Sequence, residues 1–420
     1  MTELVIIAVS VFGYAMVSAR LAMTPVTAPM VFTAIGLVVG GGGLGWFDSS
    51  LESEFVSVLV EATLVLVLFT DAIRIDLRVL RRESWLPTRL LGLGLPLSFL
   101  LGTAVAVALF ADLNIAEAGL LAAVLAPTDA ALGQAVVSDR RLPGRIRQGL
   151  NVESGLNDGI VVPVVTVMLA VAAAETAAGG FGVWGGFVAR QIGFGLACGV
   201  VAGAGGGWIL HRRAVAAHVE GVYRQLATIA IAAAAFASSE ALGGNGFIAA
   251  FVAGIAFGHV AREQCHGVQD FTEDEGELLS VFTFTVFGAV LAGPLLDELT
   301  WRIAVYAVAS LTVVRMVPVL VALWRSGTYI ETRLFVGWFG PRGLASILFA
   351  LLVREQLDTA GADTVFTTAT WTVLVSVYAH GITAGPWAGR LARRLERAPA
   401  SMPEMAPAPE MPTRRRLDAT

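Results

Sequence analysis

Two short stretches decide the fold: Ala126-Pro127-Thr128-Asp129-Ala130 and Phe339-Gly340-Pro341-Arg342-Gly343, each inside an apolar run. A proline within a helix removes a backbone hydrogen bond that lipid cannot replace, so such breaks persist where the freed groups line a cavity or hold something. The surrounding composition is that of a membrane protein. Of 420 residues, 56% are hydrophobic and only 15% charged, whereas soluble domains carry roughly a quarter charged residues. Hydrophobic windows place spans at 3–19, 26–42, 55–73, 86–110, 114–138, 148–173, 183–210, 222–240, 243–259, 276–296, 301–324, 332–353 and 362–384. The expected fold class is an all-α polytopic membrane protein of about thirteen transmembrane helices, with no separate soluble domain.

Loop charge orients the spans. All 28 basic residues are arginine. Arg20, Arg74, Arg78, Arg81, Arg82, Arg140, Arg141, Arg145, Arg147, Arg212, Arg213, Arg224, Arg262, Arg325, Arg333, Arg390, Arg393, Arg394 and Arg397 all follow odd-numbered spans, whereas the even loops hold mainly acids such as Asp48, Glu52, Asp112 and Asp297. By the positive-inside rule the N-terminus is outside and the C-terminus cytoplasmic, in a cell membrane. The start, Met1-Thr2-Glu3-Leu4, lacks a basic n-region, so the first span is expected to be retained. The acidic stretch Asp270 to Glu277 reads as a solvated linker, with a cation or proton sensor as the alternative. Cys198 and Cys265 give neither a disulfide framework nor a metal cluster.

If the span at 183–210 is a linker, residues 1–173 and 222–384 form two halves of a membrane domain ending near residue 395, and the broken fifth and twelfth spans correspond. Seven spans separate them, so the halves are inverted in the membrane. Inverted repeats with paired interrupted helices mark secondary transporters whose site lies near the midplane. Asp129 in one break and Arg342 in the other would neutralise half-helix ends. Ordinary kinks in a packed bundle are the alternative. Residues 396–420, with Pro403, Pro407, Pro409 and Pro412 among small residues, read as a disordered tail.

The sixth span contains Asn151-Val152-Glu153-Ser154-Gly155-Leu156-Asn157-Asp158-Gly159. Glu153 with Asn157, and Ser154 with Asp158, are four apart and share adjacent stripes of one helix. Intramembrane carboxylates are costly and persist mainly when paired or functional. Hard monovalent cations want oxygen ligands, which Asp158, Ser154, Asp129 and the carbonyl at Thr128 supply. For Glu153 and Asn157 a satisfied polar network that fixes helix packing is the competing role. Arg315 in the eleventh span needs a buried partner, and Glu153 is the expected one; Arg342 is expected to cap carbonyls in the broken region. Glu61 could line an ion path or be hydrogen-bonded at a helix contact, while Asp71 and Arg74 suggest an i,i+3 pair.

Pro127-Thr128-Asp129, Glu153 through Gly159, Arg315 with Pro318, Gly340-Pro341-Arg342-Gly343, and His380-Gly381-Ile382-Thr383-Ala384 with Pro386 together resemble the cation/proton antiporters of the NhaP type, relatives of the sodium/proton exchangers. Their order covers roughly the third to the last span. The resemblance implies the sodium/proton antiporter fold, a homodimer, a six-helix ion-carrying core and alternating access. It implies cation ligation by Asp158 with Ser154, Thr128 and Asp129, and support from Asn157, Glu153, Arg315 and Arg342. One departure is Ala130, where the family often has proline. His380 reads as a structural hydrogen-bond donor or a proton relay.

A carboxylate that holds either a proton or a cation exchanges one for the other when the site faces each side only while occupied. Burial favours the neutral acid and a bound cation favours the carboxylate, so the two ligands exclude each other at Asp158. Asn157 cannot ionise, and the Arg315 guanidinium keeps its proton, so electroneutral exchange of one sodium or lithium ion for one proton is expected. The alternatives are potassium/proton exchange on the same fold and a gated cation channel. No cofactor, enzymatic activity or nucleic-acid partner is expected; the bilayer and a second copy are the expected partners.

Overall fold

The apolar runs appear in the computed structural model as single helices or as two pieces end to end. The structure describes residues 2–21, 24–46, 53–75, 85–176, 181–215, 219, 221–261, 278, 280–357, 359–399 and 401–408. Arg78, Arg81, Arg82, Arg262, Cys265, the acidic stretch Asp270 to Glu277, Pro409, Pro412 and the basic end of the tail lie outside these residues. In chain order the helices are α1 (Thr2–Leu21), α2 (Ala28–Val39), α3 (Ser53–Ile73) and α4 (Trp85–Leu109). Then come α5 (Ile115–Val124), α6 (Ala130–Val137), α7 (Gly144–Thr176) and α8 (Phe181–Val215). The chain continues with α9 (Gly221–Ala241), α10 (Gly246–Val260) and α11 (Ser280–Ala292). The last are α12 (Trp301–Leu311), α13 (Val313–Ala322), α14 (Ile330–Trp338), α15 (Leu344–Gln356) and α16 (Ala360–Leu395). No strand occurs among the described residues.

Among the described residues, five helical stretches are long and apolar enough to cross a bilayer unaided, α4, α12 with α13, and α16 among them. Others, such as α2 and α10, are apolar but shorter.

Two compact units divide the chain: residues 1–57, 85–154 and 278–420 make the first, residues 58–84 and 155–277 the second. In the first unit α16 is the hub, packing against α5, α6, α12, α14 and α15. Its C-terminal half joins an apolar core through Ala388, Leu391 and Leu395, with Phe335, Phe339, Val319 and Leu90 opposite. Helix starts follow local chemistry. Asn114 and Glu117 form a capping box on α5, and Thr359 accepts the Ala362 N–H to cap α16 while donating its hydroxyl to Glu117 Oε1 at 2.9 Å. One hydroxyl and one carboxylate therefore tie the beginnings of α5 and α16 together. In the second unit α8 packs along α10 and α9. There Asp71 and Arg74 form a buried i,i+3 pair at 3.6 Å, while Glu61 on α3 is exposed.

The expected span at 301–324 is a crossing stretch over Trp301–Ala322, with a break at Thr312 (φ −110°, ψ −89°) that ends α12 and starts α13. One expectation is corrected: the whole of 396–420 is not a disordered tail. Residues 401–408 are ordered around a 3₁₀ turn at Pro403–Met405. Glu404 is only 1% exposed and accepts the Tyr329 N–H at 3.0 Å and the Thr332 hydroxyl at 3.2 Å, while Arg145 donates to the Pro403 carbonyl at 2.8 Å. The segment lies against an apolar cluster that includes Leu86, Ile146, Leu323 and Val336, on which Met405 packs. Covering that apolar cluster, with the Tyr329 N–H needing an acceptor, gives the segment a reason to dock that its composition does not reveal.

Candidate ion site at the two helix breaks

Both breaks fall in the first unit, and the backbone joins them. α5 ends at Val124 and α6 begins at Ala130; α14 ends at Trp338 and α15 begins at Leu344. Between these ends the Asp129 N–H donates to the Pro341 carbonyl at 2.8 Å. Interrupting two helices leaves two C-terminal sets of carbonyls and two N-terminal sets of N–H groups inside the protein, where each needs a partner.

Asp129 serves both N-termini. Its Oδ1 accepts the Leu132 N–H of α6 at 2.9 Å, and its Oδ2 accepts the Leu344 N–H of α15 at 2.7 Å. A carboxylate at two positive helix ends is well placed electrostatically. Each oxygen thus carries one backbone donor, so Asp129 caps both half-helices and keeps a second lone pair on each oxygen. A Cβ at position 343 would collide with the Asp129 carboxylate, so glycine is required for this approach.

Arg342 serves a C-terminus. Its Nη1 donates to the carbonyls of Ala126 at 2.6 Å and Pro127 at 3.0 Å, just beyond α5, and its own N–H donates to Ser376 Oγ on α16 at 2.7 Å. Each break therefore supplies the charge that the other break's helix ends require. Gly340 lets this happen at close range, because a Cβ there would meet Arg315 Nε and lie 3.0 Å from Thr128 Cγ2.

Arg315, on the first turn of α13 just beyond the Thr312 break, meets Glu153 of α7 in a fork, Nη1 to Oε1 at 2.6 Å and Nη2 to Oε2 at 2.8 Å. Such bidentate geometry is the arrangement in which a buried guanidinium is tolerated. One residue along, the Ser154 hydroxyl lies 3.1 Å from that of Thr128. Two hydroxyls expected as cation ligands thus stand side by side where the first break meets α7. Asn157 and Asp158 lie on the next turn of α7, 1% and 5% exposed.

Sequence reasoning missed Ser376. Its signal was a stripe on α16, in which Ser376, His380 and Thr383 recur at one-turn spacing. Thr383 accepts the Trp338 indole N–H at 2.9 Å, and His380 Nε2 lies 2.9 Å from the Trp338 carbonyl.

A family model described as sodium/hydrogen exchanger, transmembrane, matches residues 6–389. The chain is 27% identical over 379 residues to the K(+)/H(+) antiporter NhaP2 of Shewanella baltica (strain OS223), covering 89% of this chain and 64% of that relative. It is 26% identical over 354 residues to the K(+)/H(+) antiporter NhaP of Alkalimonas amylolytica, covering 83% of this chain and 60% of the relative. Against the Na(+)/H(+) antiporter 2 of Zygosaccharomyces rouxii it is 25% identical over 367 residues, covering 78% of this chain and 43% of the relative. The chain thus spans less than two thirds of the length of these relatives. Its structure is similar to that of the sodium proton antiporter MjNhaP1 from Methanocaldococcus jannaschii at pH 8, with a TM-score of 0.77 at 18% identity, over 94% of this chain and 99% of the other. The fold is the one that chain adopts.

Proposed function

This chain belongs to the transmembrane sodium/hydrogen exchanger family, and from that premise we propose that it is a secondary transporter exchanging a monovalent cation for a proton. The observation that carries the reading is the hydroxyl pair of Thr128 and Ser154 at 3.1 Å beside the first break, with Asp158 one turn further along the same helix as Ser154. The neighbouring charges have other work. Glu153 is held by Arg315, Asp129 caps two half-helices, and Arg342 caps the carbonyls of a third. We assign Asp158, four residues on from Ser154 along α7, as the carboxylate that takes either ligand, with Ser154 and Thr128 as neutral oxygen donors and Asn157 as support. Asp129 contributes negative potential at the break.

A cation arriving from one side displaces the proton from Asp158, and a proton arriving from the other displaces the cation. Because the carboxylate is desolvated, an empty charged site is unfavourable, and the protein turns over with one ligand or the other. The cycle is electroneutral, one cation for one proton. Sodium, with lithium, is our first assignment for the cation. Potassium is the second, and the names of the Shewanella and Alkalimonas relatives favour it. We further assign the N-terminus to the outside, the C-terminus to the cytoplasm, and a homodimer as the assembly.

Proteoliposomes carrying a pH-sensitive dye test this. Sodium, lithium or potassium added outside should drive protons out of the lumen, and the rank of the three cations identifies the substrate. Cation flux without proton movement would instead indicate a channel and overturn the proposal.

A further inference from the structure

Of the four half-helix ends at the two breaks, three are held by the charged pair: Asp129 takes the starts of α6 and α15, and Arg342 takes the end of α5. The fourth is the end of α14, whose last carbonyl, that of Trp338, accepts the Gly340 N–H at 2.8 Å and has a second lone pair to fill. We propose that His380 is the positioning residue for this end, and that through Ser376 and Arg342 it also fixes the carbonyls of the first break.

The hydrogen-bond directions follow from chemistry. The Trp338 carbonyl can only accept, so His380 Nε2, 2.9 Å away, carries the proton and donates. The Arg342 N–H can only donate, so Ser376 Oγ accepts it at 2.7 Å. The Ser376 hydroxyl then has its own hydrogen to place, and His380 Nδ1 stands 3.1 Å from it as the acceptor. One neutral imidazole with its proton on Nε2 satisfies the whole chain. Nδ1 also lies 3.0 Å from the carbonyl of Ser376, one turn back on α16; with the proton on Nε2 these are two acceptors, so the Ser376 hydroxyl is the partner of Nδ1. The Trp338 ring packs against the imidazole with centroids 5.0 Å apart, and Phe339 meets it edge-on at 6.3 Å.

The result is a brace across the second break. It takes the carbonyl before the break at residue 338 and the N–H inside it at residue 342, and it anchors both to the long unbroken α16. Arg342 is common to this brace and to the first break, where its guanidinium holds the Ala126 and Pro127 carbonyls. Thr128 is the next residue. Its hydroxyl position therefore depends on a chain of contacts that begins at His380, a residue that does not touch the cation. A small displacement of ligands is costly in rate and affinity, so the brace should show in the cation KM.

The inference rests on the exchange reading for its transport readout, and a second readout is independent of transport. His380→Phe keeps the ring and its packing but removes both nitrogens, His380→Gln restores a donor at the reach of Nε2, and Ser376→Ala removes the link to Arg342. Cation-driven proton flux should show KM raised about tenfold in His380→Phe and in Ser376→Ala, with the maximal rate changed far less. His380→Gln should recover most of the loss. The double variant His380→Phe/Ser376→Ala should be no worse than either single one, because both cut one chain. Hydrogen–deuterium exchange of the peptide covering 338–346, in detergent, should be faster in both single variants than in the parent. Parent-like exchange in that peptide, a parent-like KM in His380→Phe, or additive losses in the double variant would each overturn the assignment. A parent that moves no protons would instead overturn the exchange reading, and the deuterium experiment would still judge the brace.

Discussion

Glu153 and Arg315, on helices 162 positions apart in sequence, meet as a bidentate fork at 2.6 Å and 2.8 Å with both side chains no more than 3% exposed. Neither charge can be removed alone without stranding the other in a dry interior. Glu153→Ala or Arg315→Ala should lower stability by about 3 to 5 kcal/mol. Replacing both with apolar residues of similar volume should cost much less than the sum. Thermal unfolding in detergent measures this, and single variants that melt like the parent would contradict the pairing.

Asp158→Asn keeps the shape and hydrogen-bonding capacity of the side chain but removes the group that titrates. Exchange in proteoliposomes should disappear while the melting temperature stays close to that of the parent. Undiminished flux would remove Asp158 from the site.

Asp129 offers a graded test because its two oxygens cap two different half-helices. Asparagine retains one acceptor and alanine retains none. Loss of a cap costs about 0.5 to 2 kcal/mol, so Asp129→Ala should destabilise roughly twice as much as Asp129→Asn. Equal melting temperatures for the two variants would show that the caps do not act separately.

Electrical balance is open to direct measurement. With Asn157 unable to ionise and Glu153 held by Arg315, a cycle carried by Asp158 alone moves no net charge. The membrane potential, worth about 2.3 kcal/mol per charge per 100 mV, should then leave the reversal point of proton flux unmoved. A reversal point that follows the imposed potential would mean that a second carboxylate titrates in the cycle.

Glu404 makes the docked tail testable. Glu404→Ala leaves the half-buried Tyr329 N–H without its acceptor, a cost of about 1 kcal/mol. The variant should melt earlier and be cut by protease near residue 400 sooner than the parent. Equal cleavage rates would show that the segment does not dock in solution.

The amino-acid sequence by itself determined that this is a membrane protein and where its helices break at Pro127 and Pro341, because hydropathy and the missing proline N–H act locally. It also showed that Arg315 required a buried carboxylate or several carbonyls, since no bare guanidinium survives in an apolar interior, and Glu153 was the expected partner. The break at Thr312 was not legible, because no proline or glycine stands there and Val313-Val314 reads as more apolar helix. The docking of Glu404 was hidden for the opposite reason: its proline-rich surroundings look disordered, and only groups distant in sequence supply the missing contacts. Tertiary structure alone decided which charge serves which helix end. Asp129 caps α15 across 215 positions of sequence, and Arg342 reaches back 216 to Ala126. No local rule pairs groups that far apart; they meet because the helix ends at two breaks had to be satisfied in one place.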